Sequence, residues 1–411
     1  MARTRSAVVF CMPEQGHVKR LLPLIAGLAS GGITTHVFTD ARYREAVERA
    51  GGRFADVFAG RPLDAADAKS IPVPCRYVSF AAHYADSILH EVAALSPALV
   101  LHDTFAVIGV VVATHLQLPR VAVCSGHNAA PGPTVAALRS DPRVDVADEC
   151  WRAAALLRER HGMPDASPFS YAACLSRDLN LYCEPPEFLR PDEREAFEPI
   201  AFFGSLSGEE PSAPPGSRTW LGEAAGSPLR VYASFGTVVW RYYEAAVLAG
   251  LEAVADAVSG QDDAVALVSL GGRGTPEHAA RLTRHNVRVE PYVDQWRALR
   301  EASVFVTHHG LNSTHEAIHQ LTPMLSVPFF GDQPALAKRC QELGLALPLA
   351  DAPRAPITSE GVRSALARSV SDRAAMRSRL EQARGWELAA MRGRSAVIER
   401  IAGLMERGMR A

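Results

Sequence analysis

Two series of alternating strand-like and helix-like segments predict an α/β protein made of two doubly wound parallel-sheet domains. The chain has 411 residues, 48% of them hydrophobic. That length exceeds one ordinary core and predicts two domains of about 200 residues each. A polar, Pro-rich stretch in the middle, Ser-Gly-Glu-Glu-Pro-Ser-Ala-Pro-Pro-Gly-Ser over 207–217, has almost no apolar content and reads as a linker between them.

The first series opens with a strand at 7–10, a Gly-containing turn, a helix over 18–30 and a second strand at 34–39. The pattern recurs at 98–101, 107–115 and 120–124. A second series starts at Arg230, with strands near 231–234, 264–270, 287–290, 304–307 and 324–327. The segment 371–407 is helical by periodicity and is expected to break near Gly385. These boundaries give an N-terminal domain 1–206, a linker 207–217, a second domain 218–384 and a C-terminal helical segment 385–411. No repeat of solenoid period interrupts them.

Composition narrows the function classes. The formal net charge is -2, from 43 Lys and Arg against 45 Asp and Glu, with no dense basic tract, so a nucleic-acid partner is not expected. The seven cysteines (Cys11, Cys75, Cys124, Cys150, Cys174, Cys183, Cys340) are odd in number and form no C-x-x-C pair, which suits a reducing cytosol. The first apolar run, 7–12, follows Arg3 and Arg5 but is too short for a signal peptide. The longest uncharged apolar run, 105–113, is about half the length needed to cross a bilayer. A cytoplasmic protein without an integral membrane segment is expected, and richness in Ala, Arg, Gly and Pro points to a GC-rich bacterial genome.

The most informative stretch runs from Val306 through Thr307, His308, His309, Gly310, Leu311, Asn312, Ser313, Thr314 and His315 to Glu316. A buried strand ends here, and the Gly-Leu-Asn-Ser turn starts a short helix whose free N–H groups and positive dipole end suit a phosphate. His308 sits beside that anion site. Asn312 and Glu316 are four apart and share a helix face, which puts a carboxylate within reach of a diol one turn from the phosphate. Thr322-Pro323 stops the helix, and 324–330 reads as the next strand.

At these residues the chain resembles the UDP-glycosyltransferase family, inverting enzymes of the GT-B fold that include bacterial macrolide and antibiotic glycosyltransferases. His308, Gly310, Asn312, Ser313, Glu316, Pro323, Pro328, Asp332 and Gln333 all fall at family spacing. The resemblance implies two Rossmann-like domains facing across a cleft, with a C-terminal tail that crosses back to the N-terminal domain. It also implies that His308 and Ser313 contact the donor pyrophosphate, Glu316 the ribose, and Asp332 with Gln333 the sugar. Glu290-Pro291-Tyr292-Val293-Asp294-Gln295 is similar to the family's aromatic-x-x-Gln element, with Tyr292 on the nucleobase and Gln295 on ribose. Ser234-Phe235-Gly236-Thr237 follows a strand, and Ser234 and Thr237 offer hydroxyls for phosphate.

Glycosyl transfer to a hydroxyl needs a base for the acceptor proton, and a histidine suits that task. His17 follows the first strand and Asp103 another, so both lie at the sheet edge where ligands bind in such folds. A carboxylate there would fix the imidazole tautomer. The alternative for His17 is a helix-start residue, and for Asp103 an N-cap or strand-end residue. The resemblance matches His17, followed by Leu21-Leu22-Pro23-Leu24, to the family's N-terminal Gly-His motif.

No nicotinamide fingerprint accompanies the fold. The first turn lacks G-x-G-x-x-G and Gly271-Gly272-Arg273-Gly274 is a loose cluster. No Asp-x-Asp triplet occurs, so neither a metal nor a cofactor is expected, only the nucleotide-sugar co-substrate. Tyr77, Phe80, Tyr84, His127 and Asn128, with Trp240 from the second domain, are candidate contacts for a small hydrophobic or polycyclic acceptor. His83 and His90 lie in the same segment. The chain is expected to act as a monomer or homodimer. A non-catalytic auxiliary protein and a nucleotide-sugar hydrolase or epimerase are the alternatives.

Departures from the family pattern mark where substrate preference is expected to differ. Lys19-Arg20 stand where Asn-Pro is frequent, either as solvated helix charges or as cations near the acceptor. His309 stands where glycine or cysteine is usual, Leu321 occupies a common glycine position, and Leu336 replaces a frequent asparagine after the Asp-Gln pair.

Overall fold

The computed structural model describes residues 5–63, 70, 74–205, 219–224 and 226–410. The expected linker 207–217 lies outside them. The chain divides into two compact units, Met1–Gly208 with Ala389–Ala411, and Glu209–Leu388.

The first unit carries β1 (Ser6–Phe10), β2 (Thr34–Thr39), β3 (Arg53–Asp56), β4 (Leu99–Asp103), β5 (Arg120–Cys124), β6 (Leu179–Tyr182) and β7 (Ile200–Phe202). They form one sheet in the order β3-β2-β1-β4-β5-β6-β7 with parallel pairing throughout. The second unit carries β8 (Leu229–Ser234), β9 (Ala264–Ser269), β10 (Val287–Glu290), β11 (Val304–Thr307), β12 (Met324–Ser326) and β13 (Ala346–Pro348). Their order is β10-β9-β8-β11-β12-β13, again parallel. Both units are thus Rossmann-like, because each order reverses direction once. The reversal lies between β1 and β4 in the first unit and between β8 and β11 in the second.

The central strands are uninterrupted apolar runs because helices cover both of their faces. β1 and β4 are buried along their whole length. The helix Val107–His115 is buried from Val107 to Ala113, so it reads as hydrophobic all round rather than striped. It comes close to β4 at Gly109, where a Cβ would lie 2.5 Å from the His102 Cβ. His102, on the face of β4 opposite to Asp103, is therefore a packed core residue, and burial pushes its imidazole down to about 3.

Three sequence expectations need correction. The C-terminal helix does not break at Gly385. It runs unbroken over Arg373–Arg392, and a new helix, Arg394–Arg410, starts after Gly393. A single glycine costs a helix only about 1 kcal/mol, and Leu380, Ala383 and Glu387 bury the surrounding turns. The last helix belongs to the first unit, where Gly27 and Gly31 of the helix Gln15–Ser30 admit Ile398. The strand expected at 324–330 stops at Ser326, since the chain turns toward Gly331, which has a positive φ. The short strands β3, β6, β7 and β13 were not expected at all.

Two glycines test this account with opposite signs. Gly385→Ala should raise stability by about 0.5–1 kcal/mol, because the position is helical and a Cβ meets nothing within 4 Å. Gly109→Ala should lower it by about 1–3 kcal/mol through overpacking on His102. Urea unfolding of both variants measures the difference.

Candidate active site

Both units put their polar side chains at the strand ends beside the reversal in strand order. In such sheets the crossovers on either side leave in opposite directions, so the carboxyl ends of the two central strands open a crevice.

In the first unit, β1 leads into the helix Gln15–Ser30, which carries His17 in its first turn, and β4 ends at Asp103. His17 Nδ1 lies 2.7 Å from Asp103 Oδ1. His17 is 17% exposed and Asp103 fully buried. The Ser125 hydroxyl donates to the same Asp103 oxygen at 2.5 Å, and the Phe105 N–H donates to Oδ2 at 3.1 Å. Burial alone would raise the Asp103 pKa. The His17 charge and these hydrogen bonds outweigh it and hold the carboxyl below its usual range. The His17 ring stacks on Phe105 at 4.3 Å, and Phe105 in turn stacks on Tyr77 at 5.9 Å. With Nδ1 bound to a carboxylate, the other ring nitrogen, Nε2, is the one left to accept a proton.

In the second unit, β8 ends at Ser234 and β11 at Thr307, paired directly to each other. His308 follows, buried. Burial pushes its imidazole down to about 4, partly opposed by the Ser234 backbone. Its ring fits between two glycines. A Cβ on Gly236 would lie 2.8 Å from the ring, and one on Gly310 would collide with Nε2. Gly236 also has φ +69°. Thr237 donates its hydroxyl to the Gly271 carbonyl at 3.0 Å, joining the loops after β8 and β9.

Gly310 is the N-cap of the helix Leu311–Gln320 and offers no side-chain cap, so the helix start presents its positive dipole end at the strand edge. Behind it the expected ribose residues meet. Gln295 Nε2 donates to Glu316 Oε2 at 2.7 Å and to Ser313 Oγ at 3.1 Å. Asn312 shares this helix at partial exposure. Tyr292 is 64% exposed, an open aromatic face, whereas Val293 is buried. Gln333 accepts from the Phe329 and Phe330 N–H groups at 3.0 and 3.3 Å, which fixes its amide in the loop after β12. Asp332 lies beside it as the N-cap of the next helix.

The departures from the family pattern acquire physical reasons. His309 has φ +58° and Leu321 φ +59°, so both occupy left-handed backbone, where glycine is the usual choice. His309 is held there by Thr314 Oγ1 at 3.2 Å and Ser326 Oγ at 2.8 Å, and burial pushes it down to about 3. Leu321 is the C-cap of the helix, and Leu336 is fully buried. Arg20 is buried with its guanidinium on the Ser125 carbonyl, so it is not a solvated helix charge; Lys19 is exposed.

The acceptor candidates divide. Phe80 packs in the core against Phe58 and Tyr84, and Trp240 is buried in the core of the second unit beside His278. Their apolar surface is largely spent on packing. Tyr77 is buried and donates to Glu14 at 2.7 Å, where it supports Phe105. Tyr84 is half-buried. His127 is buried against Glu184 at 2.8 Å, and Asn128 has φ +44° with its N–H on the Tyr182 hydroxyl. Sequence reasoning missed Ser125, Phe105 and the buried pair of His315 with Glu387, which ties the back of the helix Leu311–Gln320 to the helix Arg373–Arg392. Among the described residues no group of three or more His, Cys, Asp or Glu converges on a metal position, and no helix is long and apolar enough to cross a membrane. All seven cysteines are free and buried.

A sequence model of the family described as UDP-glucoronosyl and UDP-glucosyl transferase matches residues 197–382. An uncharacterized UDP-glucosyltransferase, YdhE, of Bacillus subtilis is 23% identical over 82% of this chain and 84% of its own length. The NDP-glycosyltransferase YjiC of the same organism is 24% identical over 88% of each. Among solved structures, the glycotransferase of kitacinnamycin superposes with a TM-score of 0.71 at 23% identity, covering 98% of both chains. The calicheamicin glycosyltransferase CalG4 gives 0.70 at 20%, covering 99% of both. The glycosyltransferase VinC, solved with dTDP, gives 0.65 at 19%, covering 98% of this chain and all of its own.

The buried neutral histidines make stability depend on pH. In the unfolded chain His102, His308 and His309 take up protons near pH 6.5, and in the folded chain only at about 3, 4 and 3. Their contribution is complete above pH 6.5 and is lost as pH falls through that value toward 4, by about 3 kcal/mol for His308 alone. Urea unfolding between pH 7.5 and 4.5 should show this decline. His309→Asn, which tolerates the positive φ, should make it shallower.

Proposed function

We propose that this chain of GT-B fold is a glycosyltransferase of the UDP-glycosyltransferase family, and that it carries out an inverting transfer from a UDP- or dTDP-linked sugar to a hydroxyl of a small hydrophobic natural product. The observation that carries the reading is the hydrogen bond between His17 and the buried Asp103. An imidazole tied through Nδ1 to a carboxylate keeps Nε2 as the base and is stabilised once it becomes protonated.

In this reading the acceptor O–H gives its proton to His17 Nε2. The oxygen attacks the anomeric carbon from the face opposite the nucleotide, the bond from that carbon to the phosphate oxygen breaks, and its electron pair leaves with the nucleoside diphosphate. The first-turn N–H groups of the helix Leu311–Gln320, His308 and the Ser234–Thr237 turn are placed at one strand edge where they would bind the departing diphosphate. Neutral His308 can serve as a hydrogen-bond donor there, since its low pKa keeps the ring uncharged at neutral pH. Glu316 and Gln295 are assigned to the ribose, Tyr292 to the base, and Asp332 with Gln333 to the sugar. The ordered amide of Gln333 and the open ring of Tyr292 support those roles. A natural-product acceptor is supported by neighbours named for kitacinnamycin and calicheamicin and by the aromatic surroundings of His17.

A screen of UDP- and dTDP-sugars against an acceptor library, read by mass spectrometry and by nucleotide release with and without acceptor, tests this. Acceptor-dependent release with a glycosylated product is expected. Release without acceptor dependence would point to a hydrolase, and no donor binding to an auxiliary protein. His17→Ala should lower kcat about 100-fold or more with donor KM little changed. Near-parent turnover would refute the base assignment.

A further inference from the structure

The His17–Asp103 pair is one side of a closed ring of contacts. His17 and Arg20 lie three residues apart on the helix Gln15–Ser30, hence on one face. His17 reaches Asp103 at the end of β4, and Arg20 reaches the backbone carbonyl of Ser125, the first residue after β5. The Ser125 hydroxyl then closes the ring by donating to Asp103 Oδ1 at 2.5 Å, the oxygen that also faces His17. Ser125 is further fixed by its N–H on the Thr104 hydroxyl at 3.1 Å, and that hydroxyl donates to the Val123 carbonyl at 2.9 Å. Ser125 and Arg20 are both buried, so solvent does not compete for these contacts.

We propose that Ser125 is a positioning residue for the His17–Asp103 base, its hydroxyl setting how strongly Asp103 holds the His17 proton, and that Arg20 locks Ser125 to the helix bearing His17. The inference rests on the reading of His17 as the base. Two donors share Asp103 Oδ1, so each weakens the hold of the other. Without the Ser125 hydroxyl the carboxylate binds the protonated imidazole more tightly and loses one of the contacts that orient it. The other titratable groups that sense this carboxylate add no competing charge. Burial pushes up the thiols of Cys11, Cys124, Cys174 and Cys183, the last two to about 12, and pushes His102 down to about 3. Glu14, near Cys11, is paired with Arg76 at 2.6 Å. Arg20 adds positive charge near Cys11 and Cys183. The departure from Asn-Pro at Lys19-Arg20 thus has a use: it supplies the cation that closes the ring.

The test is a pH–rate profile on the full chain with UDP-glucose or dTDP-glucose and 7-hydroxycoumarin as the phenolic acceptor, replaced by the acceptor the screen returns. Ser125→Ala should lower kcat at pH 7 about 10-fold with donor KM within about 2-fold. The acid limb of kcat/KM, which belongs to the coupled pair, should move to higher pH. Ser125→Thr, which keeps the hydroxyl, should restore both the rate and the limb. Arg20→Met should lower kcat and leave donor KM unchanged. The proposal is overturned if Ser125→Ala leaves the limb in place, or if Ser125→Thr behaves like Ser125→Ala. His17→Gln separates the two readings. Should it keep its turnover, the base assignment fails. Should it lose turnover while the Ser125→Ala limb stays fixed, only the role of Ser125 fails.

Discussion

Between β1 and β4, and again between β8 and β11, successive crossovers leave the sheet on opposite sides, and only the loops that follow the strands can fill the opening. That constraint decides which residues can do chemistry. In one unit it brings together residues at or after the ends of β1, β4 and β5, which are His17, Asp103 and Ser125. In the other it brings together the residues after β8 and β11, which are Ser234, Gly236, His308 and Gly310. One kind of opening carries a buried carboxylate under a histidine, and the other a neutral histidine beside a helix start.

The two histidines show how environment assigns roles to one residue type. His17 is partly exposed and bound through Nδ1 to a buried carboxylate, which fixes the orientation of its ring and leaves Nε2 open. His308 is buried between glycines with no acid beside it, so it stays neutral and can only donate or accept a hydrogen bond. Exchange of these environments would exchange the chemistry. The glycines at 236 and 310 therefore matter as space for a ring, as well as for the backbone freedom that Gly236 uses.

Much of this was legible in the sequence, and the failures have causes. Strands of four to six residues such as β2, β5, β10 and β11 match their expected bounds, β5 and β11 through apolar runs and β2 and β10 through β-branched residues. β3 was missed because it begins at exposed Arg53 and is only half-buried, and β7 and β13 because three residues carry no period. Gly385 misled because a helix with buried neighbours tolerates one glycine. The cluster of Gln295, Ser313 and Glu316 was readable because its residues lie in two short sequence motifs. Ser125 was not, since its meaning comes from Asp103, 22 positions away, and from the register of β5 against β4. The left-handed backbone at His309 and Leu321 explains why glycine is common there, and no single sequence could have separated that reason from contact with a ligand.

The central claim is that one base, His17, drives a single displacement at the anomeric carbon. The anomeric configuration of the product, read from the proton coupling of the transferred sugar by NMR, tests it most directly. An α-linked nucleotide donor should give a β-linked product. An α-linked product would contradict the account, because retention of configuration requires chemistry that a lone histidine base in a single displacement does not provide.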